Sequence, residues 1–547
     1  MRHIELISEL NEASNLLSSA IDRYMQACAA ILNYCEIGSS SARALLDCAM
    51  VEIPKVSVYD EKVQRAKATI WRTRNQSPNL APINTLPFEI MSYIFWLSWD
   101  CSLSVEHRPN PFYPSVLLRV CSRWRQITLG SHKLWSHIDV HTNWAPNLSL
   151  KRAKLFATQS AQLPLDLHIK TGLLSSKHHK RLTDFYRSVA PRVQSFEIHH
   201  GDDSDPFHDD HQTWLDTLLS GVTAGTLSRV CIKSYGLQAV PVFLCTQDSA
   251  PTGHRNVRVS VTEQHLEDIL FPVTRLQLKG IYPTWSSRAY CGLVELSLEA
   301  LRGSEITLKD SELATILQAS PGLRVFHFGL GIEREGSVLP PVELNDLQSL
   351  QITSYSHSAQ KSVLRMVHPG QAPLELTIRV SDDVRFVFPS QTWDELVDFA
   401  SRSNITLLHI EQRDLYKEDS FDPLTLFPLM PQLEALVLDG FSIGQQCADL
   451  LEGYSDLSHL ATLLGYEEPP ALHQQLRLLR LIRCKIYWSD FRHASEIHPT
   501  AKLVLDRCEV DFHPSQNPDL ESALKCITPF VEHHEIRVTR VASRRGY

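Results

Sequence analysis

Long hydrophobic runs are missing from this sequence of 547 residues. No apolar stretch approaches the roughly 18 to 20 residues that a membrane-spanning helix needs. The start of the chain carries Glu5 and Glu9 and lacks the apolar block and small-residue cleavage site of a secretory signal. The 12 cysteines include no Cys-x-x-Cys pair, so reduced thiols are expected. We therefore predict a protein of the cytoplasm or nucleus that is neither secreted nor membrane-spanning.

An excess of basic charge is also missing, because the formal net charge is −9 at pH 7. A generic nucleic-acid-binding protein needs a basic face for phosphates, so no nucleic-acid partner is predicted. The sequence contains neither a Gly-x-x-x-x-Gly-Lys-Ser/Thr phosphate loop nor a Gly-x-Ser-x-Gly elbow. We predict no catalytic residue and no cofactor. A hydrolase built into the C-terminal part of the chain remains an alternative.

Histidine is abundant, with 25 residues, so adjacent pairs arise by chance. The run His208-Asp209-Asp210-His211 could suggest a metal site. It lies in an acidic stretch typical of a solvated loop, and no further ligands cluster beside it in the sequence. No metal site is predicted.

Residues 1–75 carry helical spacing of apolar side chains. Steps of three and four predict one helix, at the lower limit for a coiled coil. The stripe consists of Ile7, Leu10, Leu17, Ile21, Tyr24, Cys28 and Ile31. Gly38 breaks the pattern, and further helices are predicted over Ser41 to Met50 and Asp60 to Arg74. This region forms either a small helical hairpin or a weak self-association surface through residues 4–35. Residues 76–82 are predicted to be a linker.

Two short helices are predicted in the segment 83–140. Pro87 suits the first turn of a helix, and Glu89 favours the positive end of its dipole. A polar loop from Ser98 to Pro114 precedes a second helix over Val116 to Thr128. Fully burying each large apolar side chain is worth roughly 1.5–3 kcal/mol, and so small a bundle cannot bury them all. We therefore expect a partner to cover part of this surface.

The ordered motifs of this segment resemble the F-box, in particular that of the expanded F-box set of mushroom-forming (basidiomycete) fungi. The matching residues are Ile83-x-x-Leu86-Pro87-x-Glu89-Ile90, Ile94-Phe95, Val120-Cys121-x-x-Trp124-Arg125 and Leu134-Trp135. The match covers about one tenth of the chain. An unrelated helical subdomain is the alternative. The Ser98–Pro114 loop is longer than in a minimal F-box, although closure entropy grows only slowly with loop length.

The resemblance implies a helical bundle that docks on a Skp1-type adaptor, which links to a cullin and a RING subunit. Carried over to this chain, the Skp1-binding residues are Leu86, Pro87, Ile90, Ile94, Phe95, Leu117, Val120 and Cys121. The F-box core residues are Trp124, Leu134 and Trp135.

Beyond the F-box-like segment, a cassette of the form apolar-x-x-apolar-x-apolar recurs about ten times. It begins at Val193, Leu227, Val273, Leu293, Leu323, Leu347, Ile405, Leu433 and Leu476, with related runs at Leu374–Ile378 and Leu503–Leu505. Each cassette predicts a short strand. Helices are predicted between some of them, for example over Ser311 to Gln318, Thr392 to Ser401 and Gly444 to Glu452.

Strand-plus-helix units at spacings near 20 to 30 residues are typical of leucine-rich repeats. The predicted fold class is α plus α/β: N-terminal helices, a helical F-box bundle, and an irregular leucine-rich-repeat solenoid with a curved parallel sheet over residues 141–536. An α/β domain with a sheet is the alternative fold. Residues 537–547 are predicted to be a basic tail.

A solenoid exposes a continuous surface suited to extended partners, which favours recognition over catalysis. The first hypothesis is therefore a non-enzymatic, substrate-recruiting adaptor of an SCF-type (Skp1–cullin–F-box) ubiquitin ligase, whose repeats bind an unknown target protein. The alternative is a repeat-based interaction scaffold without ligase activity.

Overall fold

The computed structural model describes most of the chain and divides it into two compact units, Met1–Ser131 and His132–Tyr547. The described residues are 2–36, 42–77, 79–100, 113–141, 146–171, 176–200, 209–234, 242–247, 255–301, 306–336, 339–380, 391–412, 430, 432–443, 476–488, 500–512, 528 and 531–540. Within these ranges, no helix combines the length and the apolar character needed to cross a membrane.

The first unit begins with two long helices, α1 (Arg2–Glu36) and α2 (Ala42–Gln76). The sequence predicted two separate helices where the structure has α2, which runs through Pro54 without a break. A proline inside a helix removes one backbone hydrogen bond and crowds the preceding turn. In α2 the remaining helical hydrogen bonds on both sides of Pro54 outweigh this cost. Tyr24 joins the two helices, because its ring packs edge-on against Tyr59 with centroids 6.2 Å apart.

A smaller set of helices follows in the same unit. It comprises a 3-10 turn (Pro82–Thr85), α3 (Phe88–Asp100), a second 3-10 turn (Leu117–Arg119) and α4 (Ser122–Gly130). The single helix predicted over Val116 to Thr128 is wrong, because the chain is extended at Cys121, with φ −157° and ψ 171°. The Cys121 sulfur accepts a hydrogen bond from the Trp124 amide at 3.4 Å and caps α4 instead.

Within the described residues, the second unit is built on one sheet of 14 strands, and every neighbouring pair of strands is parallel. The strands are β1 (His137–His141), β2 (Leu165–Thr171), β3 (Val193–His200), β4 (Arg229–Ser234), β7 (Arg275–Lys279), β9 (Glu295–Glu299), β11 (Val325–Gly329), β14 (Ser349–Ile352), β16 (Leu374–Val380), β17 (Ile405–Gln412), β18 (Ala435–Asp439), β20 (Leu476–Ile482), β22 (Thr500–Asp506) and β24 (Val531–His534). They lie side by side in chain order. The mixture of helices with a large parallel sheet is therefore the observed fold class.

Every cassette found in the sequence contributes a strand to this sheet. The middle apolar residues of these strands, together with Ile138 of β1 and Leu167 of β2, align in one buried row on the inner face, which we call the inner row. It runs Ile138, Leu167, Phe196, Val230, Leu276, Leu296, Phe326, Leu350, Leu376, Leu408, Leu436, Leu479 and Leu503. The predicted stacking of the cassettes as adjacent parallel strands is confirmed.

Among the described residues, eleven short strands pair outside the main sheet. They are β5 (Val242–Thr246), β6 (Arg255–Val259), β8 (Ile281–Pro283), β10 (Thr307–Lys309), β12 (Gly331–Glu333), β13 (Val342–Leu344), β15 (Val367–Pro369), β19 (Ser442–Ile443), β21 (Lys485–Tyr487), β23 (Glu509–Phe512) and β25 (Arg537–Arg540). The predicted basic tail is wrong over β25, because this strand pairs in parallel with β23. Its backbone hydrogen bonds order residues that their charge alone assigned to solvent.

In the part of the second unit that the structure describes, seven α-helices lie between the strands. They are α5 (Pro146–Gln159), α6 (Ser176–Val189), α7 (Asp209–Gly221), α8 (Glu263–Leu270), α9 (Asp310–Gln318), α10 (His357–Met366) and α11 (Gln391–Ser401). The predicted helices over Ser311 to Gln318 and Thr392 to Ser401 are confirmed as α9 and α11. The helix predicted over Gly444 to Glu452 lies outside the described residues.

Candidate functional site

The turn that contains Leu86 and Pro87 is held by the second helix of the F-box-like segment. The Arg123 guanidinium donates to the carbonyl oxygen of Asn84 and, at 2.5 Å, to that of Leu86. The indole N–H of Trp124 donates to Oδ1 of Asn84 at 3.1 Å. Two charge-assisted hydrogen bonds and one neutral hydrogen bond therefore position the turn just before α3.

The predicted Skp1-binding residues divide by exposure. Pro87, Ile90 and Val120 are exposed, with Ile90 at 48% and Val120 at 53% of full accessibility. Leu86, Ile94 and Cys121 are half-buried. Phe95 and Leu117 are buried in the bundle. The accessible part of the predicted set is therefore Pro87, Ile90 and Val120, whereas Phe95 and Leu117 belong to the interior of the bundle.

Further large apolar side chains are exposed on the same segment, and the predicted Skp1-binding set did not include them. They are Ile83, Phe88, Tyr93, Leu97 and Val116. With Pro87, Ile90 and Val120 they are exposed apolar residues of the F-box-like segment, and we call this set the apolar surface of the first unit. Several exposed apolar side chains on a short helical segment are typical of a protein–protein interface.

The three predicted F-box core residues lie in different units. Trp124 packs against Phe95 in the first unit, with ring centroids 4.8 Å apart. Leu134 and Trp135 belong to the second unit, where Trp135 packs edge-on against Phe156 of α5 at 5.0 Å. Their assignment to the F-box core is corrected, and so is the boundary at residue 140, because β1 is the first strand of the large sheet. Trp135-x-x-Ile138-x-Val140 matches the strand cassette instead.

The outer face of the sheet carries a row of mostly polar, half-buried side chains, which we call the outer row. In register it runs Asp139, His168, Glu197, Cys231, Gln277, Ser297, His327, Gln351, Thr377, His409, Val437, Arg480, Val504 and Glu532. Successive side chains of a strand point to opposite faces, which separates this row from the inner row.

Hydrogen bonds tie the middle of the outer row together. The ring of His327 bonds the hydroxyl groups of Ser297 at 3.1 Å and Thr353 at 2.7 Å. Burial lowers the pKa of His327 to about 4, against the opposing effect of Glu299. The other charged groups that face it are Arg379, Lys233 and Lys279. His327 is therefore neutral at pH 7 and acts as a fixed hydrogen-bonding group.

Ion pairs dominate the C-terminal part of the outer face. The Arg379 guanidinium lies 2.8 Å from Glu411, and both side chains are largely buried. Arg483 pairs with Asp439 through two hydrogen bonds of 2.7 and 2.6 Å. This two-pronged geometry orients the guanidinium and the carboxylate, so the outer face presents fixed charges. Such a surface is suited to recognising a polar partner.

Carboxylates and histidines dominate the N-terminal end of the outer face, on β1, β2 and β3. The sequence instead singled out His208-Asp209-Asp210-His211. His208 lies outside the described residues, and Asp209–His211 belong to α7 rather than to the expected loop. No single stretch of sequence indicated the cluster on the sheet, because its members come from different strands.

No protein-family model matches this sequence, and the comparison with curated proteins finds no relative.

Proposed function

We propose that this protein is the substrate-recruiting adaptor of an SCF-type E3 ubiquitin ligase. The apolar surface of the first unit binds a Skp1-type adaptor, which connects to a cullin, and the chemistry of ubiquitin transfer belongs to other subunits. The observation that carries the proposal is the exposure of Pro87, Ile90 and Val120 beside a turn that Arg123 holds in place. Because Arg123 already holds the turn, little backbone entropy is lost there on binding, which favours a specific partner.

We propose that the second unit is an irregular leucine-rich-repeat solenoid that binds the target protein. Three features support this: the strands are parallel and lie in chain order, each cassette provides one strand, and most residues of the inner row are leucines. The outer row varies from strand to strand, whereas the inner row is uniformly apolar. Side chains that vary on a repeated scaffold are suited to selecting a partner.

We also propose weak self-association through residues 4–35. In the heptad-like stripe of α1, Ile7, Leu10, Leu17 and Ile21 are all exposed. A second copy presents the same stripe, and burying such stripes against each other is the basis of coiled-coil pairing. Sedimentation of the full chain over a range of concentrations tests this. An Ile7→Asp, Leu10→Asp variant should stay monomeric where the wild type associates.

Co-purification of the full chain with a fungal Skp1-type adaptor tests the ligase proposal. The wild type should form a stable complex, and an Ile90→Asp, Val120→Asp variant should lose it, because two charges would have to be buried against the adaptor. Leu155→Asp is the matched control, since Leu155 is equally exposed but lies on α5 of the second unit. It should bind as the wild type does.

Two outcomes reject parts of this proposal. If the wild-type chain binds no Skp1-type adaptor, the ligase function fails and the repeat-based interaction scaffold is left. If the double variant binds as well as the wild type, the adaptor does not use the apolar surface of the first unit.

A further inference from the structure

Three side chains with metal-binding chemistry meet at the first two strands of the sheet. His137 and Asp139 are two residues apart on β1, so both point to the outer face. Asp139 is in register with His168 on β2. All three lie on paired strands, which fixes their backbones relative to each other. Two imidazoles and one carboxylate form a ligand set that zinc commonly takes in proteins.

The distances suit a small ion. Nε2 of His137 lies 3.2 Å from Oδ1 of Asp139, and Nδ1 of His168 lies 4.0 Å from the same oxygen. One ligand atom from each residue lies within 4.8 Å of the other two. Donors bound tetrahedrally to zinc at about 2.0–2.2 Å are about 3.3–3.6 Å apart, so side-chain adjustments of less than about 1.5 Å would bring all three into place.

The ring nitrogen of His168 that faces away from Asp139 lies near a second carboxylate. Nε2 of His168 lies 3.8 Å from Oε2 of Glu197 on β3. Metal-binding histidines usually direct their second ring nitrogen at a carboxylate, a carbonyl or water, which fixes the tautomer and the ring orientation. Glu197 is placed to do this for His168, which leaves Nδ1 as the ligand atom.

We propose that His137, Asp139 and His168 bind a divalent transition metal ion, with zinc the best fit, and leave one coordination position open to water. The ion would connect β1 to β2 at the end of the sheet. This inference does not depend on the proposed ligase function.

A neighbouring group is the competing location. Ligand atoms of Glu197, His199 and Cys231 also lie within 4.8 Å of one another. The Cys231 thiol donates a hydrogen bond to Oε1 of Gln277 at 3.5 Å, so this group already has a partner on the neighbouring strand. Glu197 is also paired with His199. We therefore assign the ion to the first group, with Glu197 as its outer partner.

Metal titration of the chelator-treated full chain tests the assignment. Zn²⁺ is followed by calorimetry, and Co²⁺ by the visible absorption of its four-coordinate complex. The wild type should bind one equivalent and show a higher unfolding temperature with Zn²⁺. Asp139→Asn and His168→Asn should each weaken binding at least tenfold and abolish the thermal shift. His168→Asn is the second variant in case Asp139→Asn does not fold.

Two variants of the neighbouring group serve as matched controls. His199→Asn and Cys231→Ser should keep wild-type affinity for Zn²⁺ and the wild-type Co²⁺ spectrum. The proposal is overturned if the wild type binds no stoichiometric metal, or if the His168→Asn variant binds as the wild type does. It is also overturned if only the control variants lose the ion.

Discussion

Replacing Arg123 by alanine tests how the Leu86–Pro87 turn is held. The guanidinium donates to two backbone carbonyls, those of Asn84 and Leu86. Hydrogen bonds from a charged donor are worth about 1.5–3 kcal/mol each. At this half-buried site, water would replace part of the lost hydrogen bonding in the variant. We therefore expect the variant to lose about 2–3 kcal/mol of local stability. That loss raises the population of the open turn by about 30- to 150-fold.

Hydrogen exchange in the full chain measures this effect. The amides of Asn84, Leu86 and Met91 are hydrogen-bonded in or beside the turn, and their exchange should quicken by that factor in the Arg123→Ala variant. Arg123→Lys, which keeps the charge but has only one nitrogen, should show about half of the loss in free energy. Arg119→Ala is the control, because Arg119 is exposed on the preceding 3-10 turn. Equal protection in Arg123→Ala and the wild type would refute the reasoning.

Three further predictions concern the second unit, and urea titration of the full chain checks each of them. Trp135→Ala should lower the free energy of unfolding by about 3–5 kcal/mol, because the ring is fully buried against Phe156. An unchanged urea midpoint would contradict the place of Trp135 in this core. Gly440→Ala should cost much more than Gly292→Ala: both glycines have positive φ, but only at Gly440 would the new methyl group clash with a backbone carbonyl. Equal costs would contradict this. The pKa of His327 is about 4 in the folded protein and near 6.5 in the unfolded chain, so unfolding takes up a proton between these pH values. The free energy of unfolding should therefore fall by about 3 kcal/mol between pH 6.5 and pH 4 because of His327. His327→Gln should remove this component, and an unchanged pH profile would count against it.

Much of the sheet was predictable because one short pattern repeats. Each cassette places its apolar residues on the inner face, and this requirement recurs at every strand. Three strands were missed for local reasons. In β1 the cassette begins at Trp135, which the Leu-Trp motif had assigned to another domain. In β2 Pro164 stands at the first apolar position, and in β24 His533 stands at the last.

Nine of the short outer strands could not be predicted, because two to four residues are too few for an alternating pattern to emerge. At β25 the positive charge of the residues led to the wrong prediction of a solvated tail. A run of basic residues favours solvent exposure, but it does not prevent the backbone from pairing with β23.

The candidate docking surface was predictable in part. The resemblance to the F-box assigned Ile90 and Val120 to the docking surface, but it did not show that Phe95 and Leu117 are buried in the bundle. The contacts of Asn84 with Arg123 and Trp124 join residues about 40 positions apart in sequence, which local patterns do not reveal. The cluster at His137, Asp139 and His168 was missed for the same reason, since pairing of β1 with β2 creates it.

The central claim is that the apolar surface of the first unit binds a Skp1-type adaptor. A hydrogen-exchange footprint of the full chain, with and without a purified fungal adaptor, tests it most directly. The account predicts slower exchange across Leu86–Leu97 and Val116–Val120, with the strands of the large sheet unchanged. Binding that leaves both segments unprotected, or that protects only the outer face of the sheet, would contradict it.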